Sequence, residues 1–404
     1  MRKLGFLVLA FNICLANPLQ DAINNANDGD VITLGAGVYE GNILINKPIT
    51  IDGKDQKAII RGNGTGDVIK ITSGNVKLLN LTIENSGNSH TTIDSGITCD
   101  NASDILIEGN SLKSTLFGVN FKQCNNSKIL NNKITSKPVD LGLRGDAIRL
   151  WYSHDNIVEG NYVYDSRDMV VWYSSNNIIR KNYGERGRYS LHFMYAGKSL
   201  VEENEFKQNS VGIFFMFSSG SLVRNNKVFS STGAFGVGIG MKDTSDFVIE
   251  NNILSHNARG LYLDQSPFQP GTVNVFKNNQ ILYNTSGIQF HATQHKSIFE
   301  NNDFIGNMEV AINDTPGSKI AKNEWSNNYF DDYAGFDRDK NGIGDIAYKN
   351  FTYLDSLWQY YPNLRFFYGS SIMTILNFIA RLAPFSEPEL LITDSMPKTR
   401  PNHD

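Results

Sequence analysis

The sequence predicts an all-β protein: a right-handed parallel β-helix, or solenoid, with an N-terminal cap and a C-terminal helix and extended tail. Three observations carry this. Asn110, Asn132, Asn161, Asn182, Asn204, Asn226, Asn252, Asn279, Asn302 and Asn323 stand 21 to 29 residues apart. Each follows a short aliphatic run, such as Ile105-Leu106-Ile107, Ile178-Ile179, Leu200-Val201 and Val248-Ile249. No segment between them carries a 3.6-residue apolar stripe, so short strands joined by tight polar turns fit the repeat and a helical solenoid does not. Successive coils of such a rod stack roughly 4.8 Å apart, and equivalent residues form columns. Asparagine suits a corner: it tolerates left-handed backbone, and its amide can bond its counterpart one coil on. A propeller or sandwich with Asn-rich turns is the alternative, but propeller blades run to about 40 residues.

The elements follow in order. Met1-Arg2-Lys3, an apolar Leu4 to Ala10 and Cys14-Leu15-Ala16 have the layout of a secretory signal peptide over residues 1–16, so export is expected. Pro18-Leu19-Gln20 opens a capping helix, Leu19 to Asn27, and Val31-Ile32-Thr33-Leu34 begins the first strand. The β-helix is expected over residues 17–330, an acidic loop and C-terminal cap over 331–368, and an amphipathic helix with a partner-binding tail over 369–404. No stretch after the signal has the 18 or so uninterrupted apolar residues of a membrane span, so the mature chain is expected to be soluble or peripheral. A net charge of −4 without a basic block argues against a nucleic-acid partner. Past the signal, two of the three cysteines remain, Cys99 and Cys124, and they read as two unpaired or buried thiols rather than as a staple.

Aligning the central coils on their asparagines gives inward positions such as Ile97, Val119, Leu150, Phe193 and Phe215, a dry core. The outward positions are unusual. One column reads Thr98, Asn120, Arg149, Val170, His192, Phe214 and Gly240. The other reads Asp100, Lys122, Trp151, Trp172, Met194, Met216 and Lys242, with Asp264 and His291 following if the phase holds. Aromatic, thioether and imidazole groups thus stand where polar residues belong, which marks a binding face. Three readings stay open. Soft donors at His192, Met194, Met216, His291 and His295 suit copper as Cu(I). Aromatics beside Arg149 suit sugar rings. Neighbouring segments such as Tyr183 to Arg188 can also fold over the patch and bury it. No pair of carboxylates stands at one column, since Asp168 aligns with Ala147, so a glycosidase or lyase is disfavoured and no catalytic residue is assigned.

Asp337, Asp339, Asn341 and Asp345 place oxygen atoms at alternate positions around Gly342, the start of a calcium loop, although Tyr348 stands where the final Glu of an EF-hand would be. A solvated acidic turn is the plainer reading. Between Ser370 and Leu382 the residues Ile372, Ile375, Leu376, Phe378 and Ile379 recur at helical spacing on one broad face. That face either docks on the open end of the coil or reaches, with the tail, for a partner protein or the membrane surface.

Three segments carry a family resemblance: Gly145-Asp146-Ala147-Ile148-Arg149-Leu150-Trp151-Tyr152-Ser153, Arg186-Gly187-Arg188-Tyr189-Ser190-Leu191-His192-Phe193-Met194-Tyr195, and Asp337 to Tyr348. Together they resemble NosD, the exported maturation protein of nitrous oxide reductase, and the likeness covers nearly the whole chain. It implies a non-enzymatic periplasmic protein, peripheral to the inner membrane through its partner. The implied partners are an ABC transporter made of an ATPase and a membrane permease, the apo nitrous oxide reductase whose copper-sulfide centre is assembled, and a copper chaperone that supplies the metal. On that basis Arg149, Trp151, Trp172 and the apolar face of the C-terminal helix become expected partner contacts, and copper, held transiently, the expected cargo. A carbohydrate-binding or carbohydrate-active β-helix is the alternative.

Overall fold

The computed structural model describes residues 17–233, 235–352, 361–367, 370–382 and 388–403. The expected signal peptide lies outside the described residues. The chain opens with helix α1, Pro18–Asn25. Asn17 caps it by accepting from the Gln20 amide at 3.1 Å, and Pro18 sits in the first turn, where its missing N–H is not needed. Its apolar side, Leu19 and Ile23, is buried on the first coil. Gln20 seals that coil's edge by exchanging hydrogen bonds with the Leu44 backbone at 2.7 and 3.1 Å, so an otherwise unpaired strand is covered.

Among the described residues the chain then winds through three sheets of 15, 13 and 12 strands, about 13 turns of a parallel β-helix. Within the rod each strand pairs in parallel with its counterparts on the adjacent coils, and the last two strands of the 15-stranded sheet come from the C-terminal cap. One inward column shows the register: Val158, Ile179, Val201, Val223, Ile249, Phe276, Phe299 and Trp325 stack rung on rung. They form a continuous buried core, with stacked rings where Phe276, Phe299 and Trp325 meet.

The asparagine ladder holds one corner. Each side-chain amide donates to the next asparagine's carbonyl oxygen at 2.9–3.0 Å from Asn110 through Asn302. All these side chains are buried, so the ladder satisfies groups that would otherwise be stranded in the core. Two details differ from expectation. The left-handed residue is the one before each ladder asparagine, as at Asn131, Lys181, Glu203, Asn225, Asn251, Asn278 and Asn301, while the ladder residue itself is chosen for its amide. And Asn323 is not a rung: the ladder passes from Asn302 to Asn328 and ends on Asp394, whereas Asn323 accepts from Ser297 in a second corner ladder.

Cys99 and Cys124 form a disulfide, correcting the reading as two thiols. Their separation of 25 residues is about one coil, so the strand that carries Cys99 and the turn that carries Cys124 are stacked neighbours.

The expected C-terminal tail divides. Helix α2, Ser371–Leu382, leaves Ile372, Ile375, Leu376, Phe378 and Ile379 exposed. The strand Glu389–Asp394 instead returns to the coil, pairing with Tyr348–Thr352 and with Trp325, and buries Leu391 and Ile392 over its open end. Asn402 and His403 then fasten to the buried Asp303 at 2.7–3.1 Å. The extended segment is therefore part of the cap, and the helix is the part left uncovered.

Candidate functional site: an aromatic and thioether face

The outward columns exist in register. Lys122, Trp151, Trp172, Met194, Met216, Lys242, Asp264 and His291 pair successively, so the phase does hold through the insertion at Ser266 to Gly271. One slip interrupts the neighbouring strands: Asp168 pairs with Tyr189, and an extra residue is accommodated before Val170 meets His192. Tyr189 itself keeps its register with Val211 on the outer wall.

The inner of the two columns is buried although it points outward. Arg149, Val170, His192 and Phe214 are all under a tenth exposed, because bulky neighbours on the flanking columns close over them. Arg149 donates to Asn120 at 3.1 Å and lies 4.5 Å over the Trp151 ring, so its charge supports the tryptophans from beneath instead of meeting a partner. Burial holds its guanidinium below the ordinary value, an effect that Asp146 opposes. His192 stacks on Tyr189 at 4.7 Å and meets Trp172 edge-on at 5.5 Å. Both of its ring nitrogens are buried without a hydrogen bond, as is the Trp172 indole nitrogen.

Beneath this face lies a charged cluster that column reasoning missed. Asp146 and Asp168, on successive coils, are both buried. Burial, together with the charge of Asp168, pushes the Asp146 carboxyl up to about 7 against Arg167, Arg149 and Arg188. Burial works on Asp168 in the same direction, but His192 and Arg188 outweigh it and hold that carboxyl below its ordinary value. Arg188 is the stronger hold: its Nε donates at 3.0 Å, whereas His192 Nδ1 stands at 3.9 Å, beyond hydrogen-bond reach. The signal in the sequence was two aspartates one coil apart, offset by a single residue.

The five soft donors do not converge. Met194 and Met216 pair on adjacent rungs and are half-buried. His192 is enclosed by rings. His291 is three rungs beyond Met216, roughly 14 Å at the spacing of stacked strands, with Lys242 and Asp264 paired at 2.8 Å in between. Its Nδ1 meets Asp314 at 2.7 Å. His295 lies in the following turn, off the column. Among the described residues no group of three or more His, Cys, Asp or Glu side chains is placed to hold a metal. In the acidic loop the carboxylates turn to backbone amides: Asp337 accepts from Asn341 and Gly342 at 3.1 and 2.8 Å, Asp339 from Asn341 at 3.2 Å, and Asp345 from Arg338 at 2.9 Å.

Beside the column runs an aromatic stack in which Tyr152, Tyr195 and Phe217 are exposed and Tyr173 is half-buried. Tyr152, Tyr173, Tyr195 and Phe217 lie nearly parallel at 4.9–5.0 Å, each at φ of 48 to 51°. The same corner is left-handed on other coils too, as at Asn101, Gln123, Asp243 and Gln265, so the backbone there belongs to the fold and the four rings are what set these coils apart. Their faces are spent on one another, so edges face outward. Further along, a cavity of about 400 Å³ opens between Tyr189, Phe214, Met216, Phe235 and Tyr262.

These features define a class: a parallel β-helix whose outer face is an aromatic and thioether surface with its own cavity, and whose end carries an uncovered apolar helix, in short a binding scaffold. Comparison with known proteins narrows the class. Residues 130–335 match the family described as periplasmic copper-binding protein (NosD). The chain is 31% identical to a probable ABC transporter binding protein NosD of Pseudomonas aeruginosa, over 94% of this chain and 91% of that one. It is 30% identical to the protein of the same name from Stutzerimonas stutzeri, over 87% and 83%. The chain belongs to the NosD family. Among solved structures it is similar to the periplasmic alginate epimerase AlgG, with a TM-score of 0.56, 16% identity and coverage of 72% of this chain and 77% of that one. The A-module of the Azotobacter vinelandii mannuronan C-5 epimerase AlgE4 gives 0.54, 15%, 73% and 91%. At those identities the likeness is one of fold.

Proposed function

We propose that this protein is a non-enzymatic periplasmic maturation factor that docks on an ABC transporter and assists assembly of the copper-sulfide centre of nitrous oxide reductase. The observation that carries this reading is the relationship, along nearly the whole chain, to proteins named for binding an ABC transporter, within a family described as copper-binding. Helix α2 supplies a surface of the required kind, since five large apolar side chains on one short helix are uncovered. Copper is cargo in this reading. Met194 and Met216 offer two thioethers on neighbouring rungs, an incomplete soft site that favours Cu(I) and leaves room for a donor from the chaperone that delivers the ion or the reductase that takes it. Arg149 acts through Trp151 and Trp172, which form the floor next to that pair. Deleting the gene and purifying the reductase tests the proposal: the enzyme should accumulate without its copper-sulfide centre, and full metal content with normal activity would contradict it.

A further inference from the structure

The cavity on the outer face shares Met216 and His291 with the candidate copper donors, but most of its wall lies outside that set. Its floor is the Phe214 ring, which lies over Gly240, the residue of the inner outward column between Phe214 and Tyr262, where every neighbouring coil places a side chain. A Cβ there would stand 2.3 Å from the Phe214 ring, so the glycine is what lets that ring lie across the floor. Tyr189 meets Phe214 perpendicularly at 6.0 Å, and Tyr262 is tilted 42° from Phe214 at 6.3 Å. The rings therefore form a cup, not a flat platform. Val211 and Val237 complete the apolar wall, and Phe235, 80% exposed, stands at the rim.

The far end is polar. Gln289 accepts from Arg259 and donates to Asp314, and Asp314 also meets His291. Arg259 and Asp314 cancel in charge, which favours a neutral occupant. The Arg259 guanidinium lies 5.7 Å over the Tyr262 ring and already fills the place a ligand cation would take. A tilted cup gives no flat face on which a sugar ring can stack, whereas a compact apolar group enclosed by ring edges and faces fits it. Gln289, buried, ties Arg259 to Asp314, and the guanidinium and carboxylate it holds in place are a donor and an acceptor of the kind that a carboxamide meets. About 400 Å³ is at the low end of the roughly 300–1,000 Å³ range of ligand pockets.

The geometry points to a receptor for one large neutral side chain, aromatic or thioether, of a partner polypeptide, with the adjoining backbone amide held at the Arg259–Gln289–Asp314 end. This rests on the reading of the chain as a binding scaffold and supplies the anchor that such an interface needs, since a buried aromatic peg carries most of the energy of many protein interfaces. The test uses the full mature chain with N-acetyl-tryptophan amide and N-acetyl-methionine amide as probes, and methyl glucoside and choline as controls, followed by calorimetry and ligand-observed NMR. Saturable binding of an amide probe is expected, weakened about tenfold or more by Gly240→Leu, which drives the Phe214 ring off its place on the floor. Phe235→Ala, at the exposed rim, should weaken it too with an unchanged melting temperature, so the outcome does not depend on Gly240→Leu folding. Preference for methyl glucoside or choline, absence of saturable amide binding, or equal binding by Phe235→Ala and wild type would overturn the inference. None of these outcomes bears on transporter association or on reductase copper content, so the maturation proposal is tested separately.

Discussion

Asn328 donates its side-chain amide to the carboxylate of Asp394 at 2.9 Å, and so the asparagine ladder ends on a residue that the chain supplies only after helix α2. The same carboxylate accepts the Asn328 and Met396 backbone amides at 3.0 and 2.9 Å, and it is fully buried. Hydrogen bonds to a charged group contribute about 1.5–3 kcal/mol each, though not additively. Asp394→Ala is therefore expected to loosen the C-terminal cap by about 3 kcal/mol. Thermal melting and limited proteolysis near residue 388 would record it. Unchanged protease resistance would show that the tail does not close the coil.

Within the rod, Asn182 donates to Val158 O, Arg180 O and Asn204 Oδ1, and accepts from the Asn161 backbone and side chain. Removing that amide strands partners on both adjacent coils. Asn182→Ala should cost about 2–4 kcal/mol. Exposed corner residues such as Lys181, which takes the left-handed conformation but no ladder bond, should tolerate Lys181→Asn or Lys181→Gly with little change in melting temperature.

How much of this was legible follows from where the information sits. Period and hydrophobic alternation are properties of single residues, so the coils, both outward columns and the place of His291 could be read directly. The disulfide, the end of the ladder on Asp394 and the return of Glu389–Asp394 depend on which segments stack, and spacing in the chain does not state that. Burial of His192 and Arg149 is one of the three open readings, expected from Tyr183 to Arg188 folding over the patch, and what could not be read is which side chains do the covering. Alternation says that a side chain points outward; it does not say that the Tyr189 and Trp172 rings will lie against it.

Asp146 gives a pH dependence whose sign is fixed. Its carboxyl titrates near 7 in the folded protein and near 3.8 when unfolded, so between these values the folded state holds the extra proton. Stability must then fall as pH rises from about 4 to 7 through this group. Asp168, held below its ordinary value, contributes in the opposite sense only below the normal carboxylate range. Asp146→Asn should flatten the slope of melting temperature between pH 4 and 7 and should match or exceed the wild type at pH 7.5. An unchanged slope would remove Asp146 as its source.

For the cargo, a Cu(I) titration with the Met194→Leu, Met216→Leu double variant should show retention reduced about tenfold or more, while His192→Gln leaves affinity unchanged because its nitrogens are enclosed among rings. Affinity equal to wild type in the double variant would dismiss the two thioethers.

The docking proposal stands or falls on helix α2. Tagged mature protein should co-purify with its ABC ATPase and permease from solubilised membranes, and an Ile372→Ser, Ile375→Ser, Phe378→Ser, Ile379→Ser variant should not, while melting at the wild-type temperature because these side chains are exposed in the free protein. Recovery of the transporter by that folded variant at wild-type yield, or failure of the wild type to recover it at all, would contradict the proposal.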